Sequence, residues 1–125
     1  MEKTSVISFS DTPLSDTKRR LSDLPDRFVE GDPHHSTQMC FESPDGALIA
    51  RTWTSTPGKW HAFTDRDEFC MILEGHVRLI DEDGNAKTHK AGDAFLIPNG
   101  LRGYWDVIET TTKHFVIRDR AAMSS

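Results

Sequence analysis

The sequence predicts an all-β fold, a single barrel, on three observations. Turn-forming residues recur at short intervals from residue 36 onward. The runs between them are short and rich in β-branched and aromatic residues, which suit a pleated, half-buried surface. No stretch in that region combines the length and the apolar period of a helix. Short strands punctuated in this way make a barrel or a sandwich.

Residues 1–35 stand apart from the rest. Ser, Thr, Asp, Lys and Arg dominate there, with Leu14, Leu21 and Leu24 as isolated apolar positions. Leu21 and Leu24 lie three apart, a spacing that fits a short helix over 15–24. The polar composition favours the other reading, a largely irregular N-terminal arm or a strap across the surface. The barrel then occupies 36–120, and 121–125 form a C-terminal tail.

Turns are expected at Ser43-Pro44-Asp45-Gly46, Thr56-Pro57-Gly58, Glu74-Gly75, 81–85, Ala91-Gly92-Asp93 and Pro98-Asn99-Gly100. Gly supplies positive φ in such turns and Pro presets φ for the residue that opens them. Gly75 and Gly84 are expected to close hairpins. The strands between fall at 48–53, 69–73, 77–80, 94–97, 104–108 and 114–117.

Period-two alternation sorts their faces. Gly103, Trp105 and Val107 share one side, while Arg102, Tyr104 and Asp106 share the other, so that strand is half-buried. Residues 68–73 differ. Phe69, Met71 and Leu73 make one face apolar, and Cys70 and Ile72 make the other so, beside Glu68. A strand apolar on both sides is covered on both, by a second layer or by another subunit. A homodimer is therefore expected.

A length of 125 residues is enough for one core without disulfide or metal staples. Fifteen basic against twenty acidic residues, a formal charge of −5, argue against nucleic acid or an anionic membrane as partner, since both attract a basic face. No apolar run is long enough to span a bilayer, and residues 1–10 do not read as a secretory signal. A cytoplasmic protein is expected. Cys40 and Cys70 sit in apolar runs and read as buried thiols in a reducing compartment, with a disulfide between them as the alternative.

Glu68 is followed by Gly75 after the six residues Phe69 to Glu74, and Gly92-Asp93 leads on to Pro98-x-Gly100. With Trp53, Pro57-Gly58-Lys59-Trp60, Asp67-Glu68-Phe69-Cys70, Leu73-Glu74-Gly75, Asp83-Gly84, Ile97-Pro98, Gly103-x-Trp105 and Lys113, this pattern resembles the cupin superfamily. It looks closest to the branch related to the cupin domains of ureidoglycine aminohydrolase. The likeness runs from about Gly31 to Asp119 and implies a jelly-roll β-barrel.

Metal-binding cupins carry three histidines and a glutamate on inward-facing strands, and the resemblance places those slots at His61, Phe63, Glu68 and Gly103. Phe63 and Gly103 bring no donor, and two ligands do not ordinarily hold a catalytic metal. No cofactor is expected. A divalent metal held by His61 and Glu68 stays open as the alternative. His76 and His89 look solvent-facing, His114 faces away from Phe115 and Ile117, and His34-His35 falls before the first strand.

Glu68 and His61, if both face inward, suit general acid–base work on a small polar substrate, with Lys113 or Arg51 as the neighbouring cation. Cys70 shares the Glu68 face and is a nucleophile only if its pKa is depressed; otherwise it is an inert core residue. Glu68 reads equally as an ion-pair partner holding strands in register. Arg51, Trp53, Phe63, Cys70 and Trp105 are the candidate lining of a ligand cavity, though large aromatics in a small barrel also simply fill it. Gly103 beside Trp105 leaves a gap for a ligand to stack in, or for nothing.

Two functions follow. One is a metal-free module that binds a small polar metabolite in the barrel. The other, implied by the resemblance, is a ureidoglycine aminohydrolase-like enzyme acting on a small ureide, amide or carboxylate.

Overall fold

Where turn chemistry brackets β-branched and aromatic runs, the chain forms strands, and it forms more of them than the runs announce. The computed structural model describes residues 5–10, 15–20, 28–63 and 65–119. The tail at 121–125 and residues 21–24 of the expected helix lie outside that set. The strands are β1 (Ser15–Arg20), β2 (Phe28–Glu30), β3 (His34–Glu42), β4 (Leu48–Ser55), β5 (Gly58–Phe63), β6 (Asp67–Asp81), β7 (Ala86–Lys90), β8 (Ala94–Ile97) and β9 (Arg102–Arg118). No helix occurs among the described residues, and none is long and apolar enough to cross a membrane.

All described pairings are antiparallel, and two long strands organise them. β6 and β9 pair along nearly their whole length. The first half of β6 and the second half of β9 lie in one layer with β8 on one side and β4, β3 and β1 on the other. Their remaining halves lie in a second layer with β7, β5 and β2. The sheet therefore curls over on itself as a half-barrel, the jelly-roll arrangement.

The bend sits where the β6–β9 register breaks, between Ile72 and Val77. Gly75 is at its centre with φ of 101°. A Cβ there would collide with the Thr111 side chain and the Thr110 carbonyl, so no other residue fits. Gly75 thus does not close a hairpin. It bends one continuous strand, and the two strands expected at 69–73 and 77–80 are both β6. By the same bend, 104–108 and 114–117 are both β9.

Two expectations for the N-terminal region change. Residues 15–20 are not helical: β1 pairs with β3 from Ser15 opposite Met39 to Arg20 opposite His34. His34 and His35 lie inside β3, not before the first strand. In residues 5–10 the Phe9 ring packs 4.6 Å from that of His114, on the outer side of the sheet. Both cysteines are free thiols.

Inside, the core gathers Trp53, Trp60, Ala62, Cys70, Ile72, Val77, Ile97, Trp105, Val107, Phe115 and Ile117, with Leu79, Phe95 and Leu101 packed against it. Cys70 and Ile72 are fully buried, whereas Phe69, Met71 and Leu73 on the opposite side of β6 are exposed within one chain.

Candidate functional site

The inner row of β6 carries Glu68, Cys70 and Ile72, facing the inner row of β9 with Lys113, Phe115 and Ile117. Alternation alone places these side chains in one space. Lys113 Nζ donates to Glu68 Oε2 at 2.9 Å, and the Cys70 thiol donates to the same oxygen at 3.0 Å. Lys113 Nζ also lies 3.6 Å from Cys70 Sγ. The ammonium stands over the rings of Trp105, Trp53 and Phe115, at 4.2, 4.8 and 4.8 Å from their centroids. Aromatic faces and one carboxylate replace the water that the charge has lost.

The charges hold each other in place. Burial pushes the Glu68 carboxyl up, but the Lys113 charge and the bonds from Cys70 and Lys113 outweigh it, leaving its pKa below the usual value. Burial likewise opposes the Lys113 ammonium, and the Glu68 charge overcomes it and raises that pKa. Burial, with the Glu68 charge adding to it, pushes the Cys70 thiol up to about 12. Cys70 is therefore a protonated core thiol at neutral pH, not a depressed-pKa nucleophile.

His61 is not where the sequence put it. Trp60 and Ala62 take the inner positions of β5, so His61 faces outward, its ring 5.0 Å from that of Tyr104. It does not share a space with Glu68, and the two do not form an acid–base pair. Phe63 ends β5 opposite Arg102; its side chain is outside the described set. Arg51 occupies the inner row of β4 with Ile49 and Trp53, half-buried, opposite Phe115.

Trp53 and Trp105 do point inward, but they fill space. Trp60 stacks on Trp105 at 6.3 Å, Trp53 meets Trp60 and Trp105 at 6.0 Å, and the His35 ring lies on Trp53 and Trp60. Nor does Gly103 leave a gap. A Cβ there would collide with the Ile80 carbonyl, so the strands are simply too close for any side chain.

Space opens instead between β7 and β8. A cleft of about 360 Å³ has apolar walls from Leu79, Phe95, Ile97 and Leu101, with Asn85, Lys87 and His89 at its polar side. Register sets this arrangement. His89 and Lys87 lie opposite Val77 and Leu79 and so share their inward face. His89 stacks on Phe95 with centroids 4.1 Å apart and planes at 21°. Burial, reinforced by the Lys87 charge and opposed by Asp93, lowers the His89 pKa.

Asp81 is occupied in the β6–β7 turn, accepting from the Asn85 and Asp83 backbone amides at 2.9 Å. The Asn85 bond comes first in holding its carboxyl below the usual range. Sequence reasoning missed this cleft. Ala86-Lys87-Thr88-His89-Lys90 lacks the apolar alternation of a half-buried strand, and only its pairing with β6 reveals which way Lys87 and His89 point.

A sequence profile of the EutQ-like cupin domain matches residues 42–115, more than half of the chain and the whole stretch from β4 to Phe115. The chain belongs to the EutQ-like cupin family. An uncharacterized protein of Bacillus subtilis, YdbB, is 32% identical over 59 residues, 44% of this cupin and 52% of that protein, so the chain spans about half the length of this curated relative. Among solved structures, a putative ethanolamine utilization protein Q of Salmonella typhimurium aligns with TM-score 0.62 and 22% identity, over 68% of this chain and 69% of that one. The EutQ protein of Clostridium difficile aligns with TM-score 0.63 and 17% identity, over 77% and 78%. These two likenesses bear on the fold alone.

The donor set of this cupin does not fit the metal that its fold implies. Glu68 is engaged by an ammonium, Cys70 keeps its proton, the inner positions of β5 hold an indole and a methyl group, and Gly103 admits no side chain. Among the described residues no three His, Cys, Asp or Glu side chains gather as ligands.

Proposed function

We propose that this cupin is a metal-free binding module that takes a small carboxylate with a planar or apolar body in the cleft between β7 and β8. One observation carries the reading: the inward face of β7 presents Lys87 and His89 to open space, where a filled barrel would present apolar side chains. Pockets of roughly 300–1,000 Å³ with apolar walls and a few polar groups are the usual form of a small-molecule site, and this cleft falls within that range. Phe95, Ile97 and Leu101 accept the body of the ligand, the His89–Phe95 stack offers a ring face, and Lys87 meets the carboxylate. The partner is thus a small metabolite rather than nucleic acid or membrane, in keeping with the acidic balance of the chain. Two free thiols suit the cytoplasm.

Thermal-shift titration with a panel of carboxylates and their matched neutral amides tests this. A ligand at one hundred times its dissociation constant stabilises by about 2.7 kcal/mol. Carboxylates are expected to raise the melting temperature of the wild type, amides to do so less, and Lys87→Glu to abolish the difference. A panel that shifts the wild type and Lys87→Glu alike overturns it.

The buried Glu68 carboxylate favours a second reading, a ureidoglycine aminohydrolase-like enzyme acting on a ureide, amide or carboxylate. On that reading Glu68 acts on the substrate, so turnover is expected to fall steeply in Glu68→Gln. Equal turnover in that variant removes Glu68 from any such reaction.

A further inference from the structure

We infer that the carboxylate taken between β7 and β8 belongs to an α-amino acid with an apolar side chain, whose ammonium is received by Asp81. The inference rests on the cleft reading above and adds the second charge of the ligand.

Alternation on β6 puts Val77, Leu79 and Asp81 on one face, and Asp81 lines the cleft together with Leu79 and Lys87. Lys87 lies opposite Leu79 in the β6–β7 pairing, so Asp81, two positions further along, is its diagonal neighbour. Diagonal neighbours on an antiparallel pair stand roughly 7–8 Å apart. A carboxylate and an ammonium thus border one end of the same cleft. Yet they do not meet. Among the described residues neither belongs to an ion pair, whereas Arg78, Arg102, Lys113 and Arg118 each hold a carboxylate at 2.7–3.1 Å.

The turn does not use up Asp81. Its Oδ1 accepts the backbone amides of Asp83 and Asn85, while Oδ2, among the described residues, takes a single 3.4 Å approach from the Asn85 side-chain nitrogen. A carboxylate oxygen accepts more than one bond, and a bond of that length is weak. The Asn85 backbone amide, first among the groups acting on it, keeps this carboxyl ionised below the usual range. A fixed negative charge with a spare acceptor therefore stands beside Lys87.

These neighbours select the ligand. A plain carboxylate seated on Lys87 faces its own sign at Asp81, and a plain amine at Asp81 faces its own sign at Lys87. An α-amino acid carries an ammonium, a carboxylate and a side chain on one carbon. The cleft offers a carboxylate, an ammonium and the apolar wall of Phe95, Ile97 and Leu101.

Isothermal titration at pH 7 with phenylalanine and leucine, against their deamino counterparts 3-phenylpropanoate and 4-methylpentanoate, tests the second charge. Each amino acid is expected to bind the wild type roughly fivefold more tightly than its counterpart, the worth of an ion pair at the edge of solvent. Asp81→Asn keeps an oxygen for the turn amides and drops the charge. In that variant the preference is expected to vanish, with the deamino acids bound no more weakly than by the wild type. Their retained binding shows at the same time that turn and cleft are intact. Deamino acids that match the amino acids in the wild type overturn the inference and leave the carboxylate site standing. So does a preference that survives Asp81→Asn, and so does an equal loss of all four compounds there, which makes Asp81 a turn residue alone. Silence from all four in the wild type overturns the inference and the cleft reading together.

Discussion

At Lys113 a full positive charge sits among three aromatic rings, and its tolerance there depends on Glu68. Removing one member of a buried pair costs about 3–5 kcal/mol because the other charge is left uncompensated. Lys113→Met is therefore expected to destabilise by that amount at pH 7, and the double variant with Glu68→Leu to recover part of it; urea unfolding of the four proteins measures the coupling. The pH dependence has a definite sign. In the wild type the Glu68 pKa is depressed, so its contribution is present above the ordinary carboxylate value and is lost as pH falls through the depressed one. In Lys113→Met burial acts without the compensating cation, the pKa rises, and stability is lost as pH rises. The charges that face Glu68, namely Lys113 and Arg66, together with the Cys70 thiol, give no reason for the opposite trend. The gap between wild type and variant should accordingly narrow between pH 7 and pH 5. A gap that widens on acidification defeats the ion-pair account. Cys70 yields a simpler check: its thiol is fully buried and protonated, so a disulfide reagent at pH 8 should label one thiol of the native chain, and Cys70→Ser should not reduce that count. The sequence carried the residue pattern of this cluster, since Glu68 and Cys70 differ by two positions on one strand. The phase of β5 was misread. A slip of one residue exchanges the faces of a strand, and in Lys59-Trp60-His61-Ala62 the polar–apolar alternation favours Trp60 and Ala62 inward; His61 was read inward through the cupin ligand slot, against that local signal.

At the scale of strands, the turn residues announced where the chain changes direction but not how. Gly84 and Gly75 look alike in sequence, each following an acidic residue. Gly84 closes the β6–β7 turn, its amide bonded to the Asp81 carbonyl, whereas Gly75 bends β6 against Thr111 where its register with β9 shifts, and the pairing resumes beyond it. The difference depends on a strand 36 positions away in the chain, at Thr111, and no local signal encodes it. Gly75→Ala combines an unfavourable φ with a backbone collision, so it should cost about 1–3 kcal/mol or more, the range for forced overpacking. Gly84→Ala meets open space and carries only the conformational penalty of a positive φ. Chemical denaturation of the two variants side by side should rank Gly75→Ala as clearly the worse. Equal losses would mean that the bend is not enforced by packing. β7 escaped prediction for a related reason. Strand propensity reports a half-buried, apolar surface, and a polar strand lining an open cleft has no such surface to report.

For the molecule as a whole, the fold was legible because many independent turns agreed on it, while the ligand was not, because its site is made by two edge strands that acquire meaning only when paired to β6. Phe95, Ile97 and Leu101 give that site its apolar wall and Lys87 a charge at its polar side, so a bound carboxylate ties β7 to β8. A ligand at one hundred times its dissociation constant stabilises by about 2.7 kcal/mol. For a chain of this size that is on the order of 10 °C in melting temperature. Melting curves with and without an excess of carboxylate are expected to separate by about that much in the wild type and by clearly less in Lys87→Glu. An unresponsive wild type, or a Lys87→Glu variant that responds equally, removes the ligand and leaves the fold untouched.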